Sequence, residues 1–127
     1  MTVVLDASAL LAMLLAEPGA EHVRAALPLA EMSTINLSEV VARLVRDHPD
    51  DAVRGAINRV ELRLRDLDEW LAIEAGIIAR QTRGAGLSLG DRCCLALGKR
   101  LACPVLTADR AWMEIADLVG VEVRLIR

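Results

Sequence analysis

Short apolar runs of strand-like composition alternate with longer runs of helical periodicity, and this alternation restricts the fold more than any other feature. Strands are expected at residues 2–5, 32–35, 62–67, 104–107 and 121–125. Helices are expected at residues 8–17, 20–26, 37–45, 50–60, 69–82, 88–101 and 109–118. Such alternation implies right-handed crossovers between parallel strands. We therefore expect one α/β/α domain, residues 1–127, with a mainly parallel sheet of about five strands. Residues 60–65 also fit a continuation of the preceding helix, and the pattern does not fix the strand order.

The composition predicts an aliphatic core with some apolar surface left over. Hydrophobic residues make up 54% of the 127 residues, and the only aromatic side chains are Trp70 and Trp112. Apolar surface that a small core cannot bury usually serves an interface. We therefore expect a homo-oligomer, a protein partner, or both.

Neither a membrane span nor a disulfide framework is expected. The longest apolar run, residues 9–16, is far shorter than the roughly 20 residues needed to cross a bilayer. No basic residue precedes this run, so it does not resemble a signal peptide, and we expect a cytoplasmic protein. The cysteines, an odd number, are interpreted as small buried hydrophobic residues. They are Cys93, Cys94 and Cys103.

Acidic residues follow the predicted strands or stand in the first turn of the helices beyond them. The four acids are Asp6, Glu39, Asp91 and Asp109. In open parallel sheets, ligands bind beyond the carboxyl ends of the strands. If the four helices begin at the same edge, the four carboxylates converge on one crevice.

Each acid also has a simpler interpretation as part of a helix cap. Asn36 and Glu39 have the spacing of a capping box, as do Ser88 and Asp91, and Asp109 is a favourable N-cap residue. Taken singly, each acid is more often a cap than a ligand. Caps do not, however, require all the acids to share one edge of the sheet.

Four converging carboxylates would need a cation. A like-charge pair about 4 Å apart costs about 4 kcal/mol at an effective dielectric constant of about 20. Oxygen ligands favour Mg²⁺ or Mn²⁺, and the two histidines, His22 and His48, lie in polar segments that indicate surface positions, so zinc is not expected. A hard cation in an acidic crevice indicates phosphate chemistry.

These motifs resemble those of PIN-domain nucleases and, more narrowly, the VapC toxins of bacterial toxin–antitoxin pairs. The motifs are D-A-S after the first strand, N-x-x-E opening the third helix, L-S-L-G-D before a later helix, and L-T-A-D-R after a late strand. The resemblance spans nearly the whole chain. It implies an endoribonuclease dependent on Mg²⁺ or Mn²⁺, a homodimer, and a cognate antitoxin that covers the acidic pocket.

Carried over by position, the resemblance gives each motif residue a role. Ser8 and Thr107 would support the site by hydrogen bonds, and Asn36 would orient Glu39 or the substrate. The catalytic, metal-binding residues would be Asp6, Glu39, Asp91 and Asp109. Glu114 and Asp117 are candidates for a further acid at the site, and neither is assigned.

Contact with RNA must come from local arginines, because the net charge is −3. Arginine binds phosphate bidentately, and only one of the 15 basic residues is a lysine. The RNA-binding candidates near the motifs are Arg43, Arg92 and Arg110. Each is equally well explained by a surface ion pair, such as Glu39 with Arg43.

Two classes of alternative remain. A receiver domain or a dehalogenase-like phosphatase also places an acid at a strand end. Both are disfavoured, because the only lysine, Lys99, lies in a helix before the fourth strand and the first motif lacks a second acid at Ser8. A catalytically silent PIN-like binding module is the other alternative, and the presence of all four acids argues against it.

Overall fold

The computed structural model describes residues 1–127 and contains one five-stranded sheet in which every pair of neighbouring strands is parallel. The strand order is β3-β2-β1-β4-β5. The strands are β1 (Val3–Leu5), β2 (Ala30–Ser33), β3 (Arg63–Arg65), β4 (Val105–Thr107) and β5 (Val123–Leu125). The expected α/β architecture with a parallel sheet is therefore confirmed.

Seven α-helices connect the strands and cover both faces of the sheet. They are α1 (Ala7–Leu14), α2 (Ala20–Ala26), α3 (Thr34–Leu44), α4 (Asp50–Val60), α5 (Glu69–Gln81), α6 (Leu89–Leu101) and α7 (Trp112–Val119), with a short 3₁₀ turn at Leu27–Leu29. Helices α1–α4 contribute to one buried cluster and α5–α7 to the other. Successive side chains of a strand point to opposite faces, so Val4 belongs to one cluster while Val3 and Leu5 belong to the other.

The order of the strands places a crevice at the centre of the sheet. From β1 the chain moves outward through β2 to β3, and it then returns to the other side of β1 to form β4 and β5. The direction of winding therefore reverses between β1 and β4. In such sheets this reversal opens a crevice beyond the carboxyl ends of the two central strands.

Several predicted boundaries differ from the structure by a few residues, and local capping and turn geometry explain three of these differences. The second strand ends at Ser33, whose hydroxyl accepts a hydrogen bond from the Ile35 amide and starts α3, so residues 34–35 are helical. Helix α1 ends at Leu14, and Ala16 has a φ of 54°, so the helix does not reach residue 17. Helix α7 starts at Trp112 rather than at residue 109, because Asp109 and the two residues after it form a turn.

The two tryptophans occupy opposite environments. Trp112 is fully buried in the core, and its indole N–H has no hydrogen-bond partner. Trp70 is exposed on α5, where the guanidinium of Arg100 lies 4.9 Å from the ring centroid. The expectation of buried cysteines is confirmed for Cys93 and Cys94, while Cys103 is only partly buried.

No helix combines the length and the apolar character that crossing a bilayer requires.

Candidate metal centre

The carboxylate of Asp6 lies at the centre of the crevice, directly after β1. Asp6 occupies the N-cap position of α1, yet its side chain does not cap the helix. Instead, its Oδ2 accepts hydrogen bonds from Ser8 Oγ at 2.7 Å and from Thr107 Oγ1 at 2.9 Å. Burial raises the pKa of Asp6, although the two hydroxyls act in the opposite direction. The protein thus holds a buried carboxylate in place with neutral donors and no basic partner.

The two hydroxyls also connect β1 to the end of β4. Ser8 Oγ accepts a hydrogen bond from the Ala108 amide at 2.9 Å, and Thr107 Oγ1 accepts one from the Asp109 amide at 3.1 Å. Each hydroxyl therefore donates to Asp6 and accepts from the backbone that leads to Asp109. Ser8 and Thr107 thus link the Asp6 carboxylate to the end of β4.

Glu39 reaches the crevice from α3, where Asn36 holds its carboxylate. Asn36 is fully buried, and its Nδ2 donates to Glu39 Oε1 at 2.9 Å and to the carbonyl of Gly90 at 3.0 Å. The capping box considered for Asn36 and Glu39 is wrong, because Ser33 is the N-cap and Asn36 lies inside the helix. Burial is the largest cause that raises the pKa of Glu39, and the charges of Asp6 and Asp91 raise it further.

Asp91 stands in the first turn of α6 and takes part in a complete capping box. Its Oδ2 accepts a hydrogen bond from the Ser88 amide at 3.0 Å, and Ser88 Oγ accepts one from the Asp91 amide at 3.1 Å. The cap interpretation of this pair is confirmed. The charge of Asp91 also raises the pKa of both Asp6 and Glu39. Asp91 thus serves its own helix and contributes charge to the crevice.

Asp109 is exposed and lies just beyond the end of β4. Its Oδ1 accepts a hydrogen bond from the Ala111 amide at 3.0 Å, which stabilises the turn before α7. Asp91 is among the charges that raise the pKa of Asp6 and Glu39, but Asp109 is not. Asp109 is connected to Asp6 through Thr107 Oγ1, which donates to the Asp6 carboxylate and accepts from the Asp109 amide.

The three candidate arginines have different partners. Arg43 forms an ion pair with Asp47 at 3.1 Å, so the suggested pair between Glu39 and Arg43 is wrong. Arg92 donates to the carbonyl of Ala75 at 3.1 Å and thereby joins α6 to α5. Arg110 is exposed and makes no ion pair, so its guanidinium is the one most available to a phosphate.

The residues of the crevice match a hard divalent cation in donor type and in charge. No group of three or more His, Cys, Asp or Glu side chains stands close enough to hold a metal ion in this structure. Even so, Asp6, Glu39 and Asp91 each act to raise the pKa of the buried thiol of Cys94. Three carboxylates that act on one buried group lie within a single electrostatic environment. A cation would relieve their repulsion, and carboxylate oxygens favour Mg²⁺ or Mn²⁺.

The sequence analysis assigned no role to two residues that shape this site. Ser33 starts α3 and so sets the position of Asn36 and Glu39, and Gly90 accepts the second hydrogen bond of Asn36. A serine three residues before Asn36 could have indicated the first. Gly90 is the glycine of the L-S-L-G-D motif, and a glycine inside a helix, where this residue is unfavourable, could have indicated its role.

Comparison with known proteins gives the same fold. Residues 3–118 match the family model described as PIN domain. The structure is similar to that of DNA-bound VapBC from Salmonella typhimurium, with a TM-score of 0.79, 16% sequence identity, and coverage of 100% of this chain and 99% of that chain. It is also similar to a toxin–antitoxin complex from Klebsiella pneumoniae, with a TM-score of 0.77, 16% identity, and coverage of 99% and 98%.

A third similar structure is FitAcB from Neisseria gonorrhoeae, with a TM-score of 0.70, 20% identity, and coverage of 96% of both chains. No curated protein sequence matches this chain significantly. The family match leaves no room for the receiver-domain and phosphatase alternatives. Because the family model covers most of the chain, this protein belongs to the PIN domain family.

Proposed function

We propose that this protein is a metal-dependent endoribonuclease that hydrolyses RNA phosphodiester bonds and acts as the toxin of a toxin–antitoxin pair. The observation that carries the proposal is the buried carboxylate of Asp6, which shares the crevice of a PIN domain with Glu39 and Asp91. A fold of this kind binds its ligands at this crevice. The proposed place of action is the cytoplasm, where RNA is available.

Asp6, Glu39 and Asp91 would hold Mg²⁺ or Mn²⁺, and Asp109 would be a fourth acid at the mouth of the crevice. When bound, such a cation lowers the pKa of an attacking water and neutralises charge on the phosphate oxygens. Ser8 and Thr107 fix the orientation of Asp6 through their hydrogen bonds.

Three further residues have proposed tasks around the crevice. Asn36 holds the carboxylate of Glu39 in place. Arg110 directly follows Asp109 and binds the RNA backbone, because its guanidinium has no acidic partner in the protein. Arg92 positions the start of α6 through its bond to α5 and contacts RNA less directly.

The proposed protein partner is a cognate antitoxin. The similar structures from Salmonella typhimurium, Klebsiella pneumoniae and Neisseria gonorrhoeae are of VapBC, of a toxin–antitoxin complex and of FitAcB. This chain covers nearly the full length of each similar chain. An antitoxin that closes the acidic crevice with a basic side chain would suit the charge of the site.

A second copy of the chain is the proposed occupant of the exposed face of α5. The face carries an apolar stripe of Trp70, Ile73 and Ile77, with exposed fractions of 42%, 55% and 39%. These residues follow the i, i+3, i+7 spacing of one helix face. An unpartnered stripe of this kind on a water-soluble surface indicates an interface.

Charge complementarity supports an antiparallel arrangement of two such helices. Glu69 lies at the start of α5, whereas Arg80 lies in its last turn and Arg83 follows the helix. Gly76 stands midway between Glu69 and Arg83, and no atom lies within 4 Å of the position that its Cβ would take. Two copies crossing at Gly76 therefore place the acidic end of each helix against the basic end of the other.

A catalytically silent binding module is the second candidate function. It is favoured by the absence of a preformed metal-holding group and by the hydrogen bonds that tie Asp91 and Asp109 to their own helix or turn. Such a module would bind RNA or a protein partner without cleaving a phosphodiester bond.

The test is cleavage of a mixed cellular RNA pool by the purified, antitoxin-free chain with Mn²⁺ or Mg²⁺. We expect cutting at a small number of sites by the wild-type chain and none by Asp6→Asn. Asp51→Asn, the same change at an exposed position of α4, is the matched control and should cut like the wild type. RNA binding without cutting by the folded wild-type chain would favour the silent module. Equal cutting by wild type and Asp6→Asn would refute the site.

A further inference from the structure

Gly90 lies where the first turn of α6 meets the carboxylate of Glu39. A Cβ atom built on Gly90 would overlap with the carboxyl carbon and both carboxylate oxygens of Glu39. Gly90 has ordinary helical backbone angles, since it is not among the residues with positive φ. A glycine inside a helix costs about 1 kcal/mol relative to alanine. The helix itself therefore gives no reason for glycine at this position, whereas the carboxylate of Glu39 does.

Asn36 completes a clamp around the same carboxylate. One amide nitrogen, Asn36 Nδ2, donates both to Glu39 Oε1 and to the Gly90 carbonyl, so it ties the carboxylate to the backbone of α6. The amide oxygen of Asn36 is buried and has no hydrogen-bond partner. Leaving such an atom unpaired costs about 1–3 kcal/mol. The Asn36 amide therefore uses its donor to hold the Glu39 carboxylate against α6, while its oxygen gains no hydrogen bond in return.

We propose that Gly90 is a positioning residue whose missing side chain sets where the Glu39 carboxylate lies, and through it the metal affinity of the crevice. The inference rests on the proposed metal-dependent function. Any side chain at position 90 moves the carboxylate of Glu39 away from the surface of α6. The Asn36 hydrogen bond then lengthens, because its other acceptor is the fixed carbonyl of Gly90.

The variant Gly90→Ala should move the Glu39 carboxylate without destabilising the fold. The clashing atoms are the end of a flexible side chain, so Glu39 can swing aside while α6 stays intact. Alanine also favours the helix, which offsets the local strain. We expect Mn²⁺ to bind about 10–100-fold more weakly, as for the loss of other groups that orient a metal ligand. The unfolding free energy of the metal-free protein should not fall.

A shorter acid provides the rescue. Glu39→Asp alone should weaken Mn²⁺ binding, because its carboxylate no longer reaches Asn36. The double variant Gly90→Ala with Glu39→Asp should bind Mn²⁺ better than Gly90→Ala alone, because the shorter side chain avoids the new Cβ atom. Gly55→Ala is the matched control, a helical glycine of α4 whose added Cβ would meet only the guanidinium of Arg59. It should leave Mn²⁺ binding unchanged.

The experiment has two readouts, and both use the full chain without RNA. The first is the dissociation constant of Mn²⁺ alone, measured by calorimetry or electron paramagnetic resonance. The second is the carboxyl ¹³C signal of Glu39 in the metal-free protein, which should shift in Gly90→Ala and stay in place in Gly55→Ala. An unchanged ¹³C signal in Gly90→Ala would overturn the role of Gly90, as would wild-type Mn²⁺ affinity in that variant. A wild-type chain that binds no Mn²⁺ would refute the proposed function, and the ¹³C signal would still decide whether Gly90 positions Glu39.

Discussion

Asp6 and Asp68 occupy the same place in their helices, yet the protein uses them in opposite ways. Each is the N-cap residue of a helix that follows a strand, and each has an extended backbone. Asp68 caps α5 by accepting from the Leu71 amide at 2.8 Å and pairs with Arg100 at 2.8 Å. Its pKa is lowered, chiefly by the hydrogen bond from Arg100. Asp6 caps nothing, is buried, and has a raised pKa.

The difference shows which acids a fold keeps available for binding. An aspartate at an N-cap usually stabilises its helix by about 1 kcal/mol. Asp68 stabilises its helix in this way and also pairs with Arg100. At Asp6 the protein gives up the cap and supplies only the hydroxyls of Ser8 and Thr107. A buried carboxylate with a perturbed pKa and no counter-charge is a candidate functional group.

The largest expected effect comes from making the same change at both positions. Asp6→Asn should lower RNA cleavage by on the order of 10³-fold or more, about 4 kcal/mol in transition-state free energy. Its thermal unfolding temperature at neutral pH should not fall, because the charged form of Asp6 is disfavoured by burial. Asp68→Asn should cleave like the wild type. Cleavage assays and thermal melts of the two variants check this, and equal loss of activity in both would remove the distinction between the two acids.

The second-largest expected effect is on self-association, for which we propose the exposed face of α5, the helix that Asp68 caps. Ile73→Asp puts a charge at the centre of the α5 stripe and should weaken self-association by about 100-fold or more, about 2.7 kcal/mol. Leu29→Asp, at an exposed leucine outside the α5 stripe, is the control and should associate normally. Sedimentation over a range of protein concentrations measures both. A wild-type chain that is monomeric at all concentrations would refute the proposed interface.

Asp91 combines the roles of Asp68 and Asp6, because it caps its helix and also adds charge to the crevice. Asp91→Asn keeps an oxygen that can accept from the Ser88 amide, so the variant should retain most of its stability. It should lose Mn²⁺ binding, because the negative charge is gone. Asp91→Ala should lose both, with about 1 kcal/mol of unfolding free energy. Ser88→Ala should show only the stability loss. Denaturant melts and Mn²⁺ titrations of the three variants separate the roles, and an inactive Ser88→Ala protein of normal stability would contradict this division.

The smallest effect is the pH dependence that Asp68 contributes. Its pKa is lower in the folded chain than in the unfolded chain, so its contribution to stability is present above the ordinary aspartate pKa of 3.8. The contribution is lost as the pH falls through the folded pKa. The stability difference between wild type and Asp68→Asn should therefore be constant near neutral pH and shrink below that value. Denaturant melts from neutral to acidic pH measure this difference, and one that grows on acidification would have the wrong sign.

The sheet and its helices were predictable because both periodicities are local properties of the sequence. All five strands and all seven helices lie close to their expected positions. The errors arose where two residues compete for one role. Ser33 and Asn36 are both good cap residues, and only the structure shows that the strand ends early enough for Ser33 to start α3. The strand order likewise depends on packing between distant segments.

The location of the candidate site was more predictable than its contacts. The sequence places Asp6, Glu39 and Asp91 at the end of β1 and the starts of α3 and α6, and the charges of Asp6 and Asp91 raise the pKa of Glu39. The choice of Asp47 rather than Glu39 as the partner of Arg43 was not predictable, since both acids stand four residues away. The contact between Glu39 and Gly90 joins residues far apart in sequence, and no local rule indicates it.

The two tryptophans give the protein a simple optical behaviour. The chain has no tyrosine or phenylalanine, so its near-ultraviolet fluorescence comes from two indoles alone. Trp112, in the core beside the turn that carries Asp109, should emit at short wavelength until the chain unfolds. Trp70, on the face proposed to meet a second copy, should emit at long wavelength and be accessible to a soluble quencher only in the monomer. One emission spectrum can therefore follow assembly and unfolding separately, without any label.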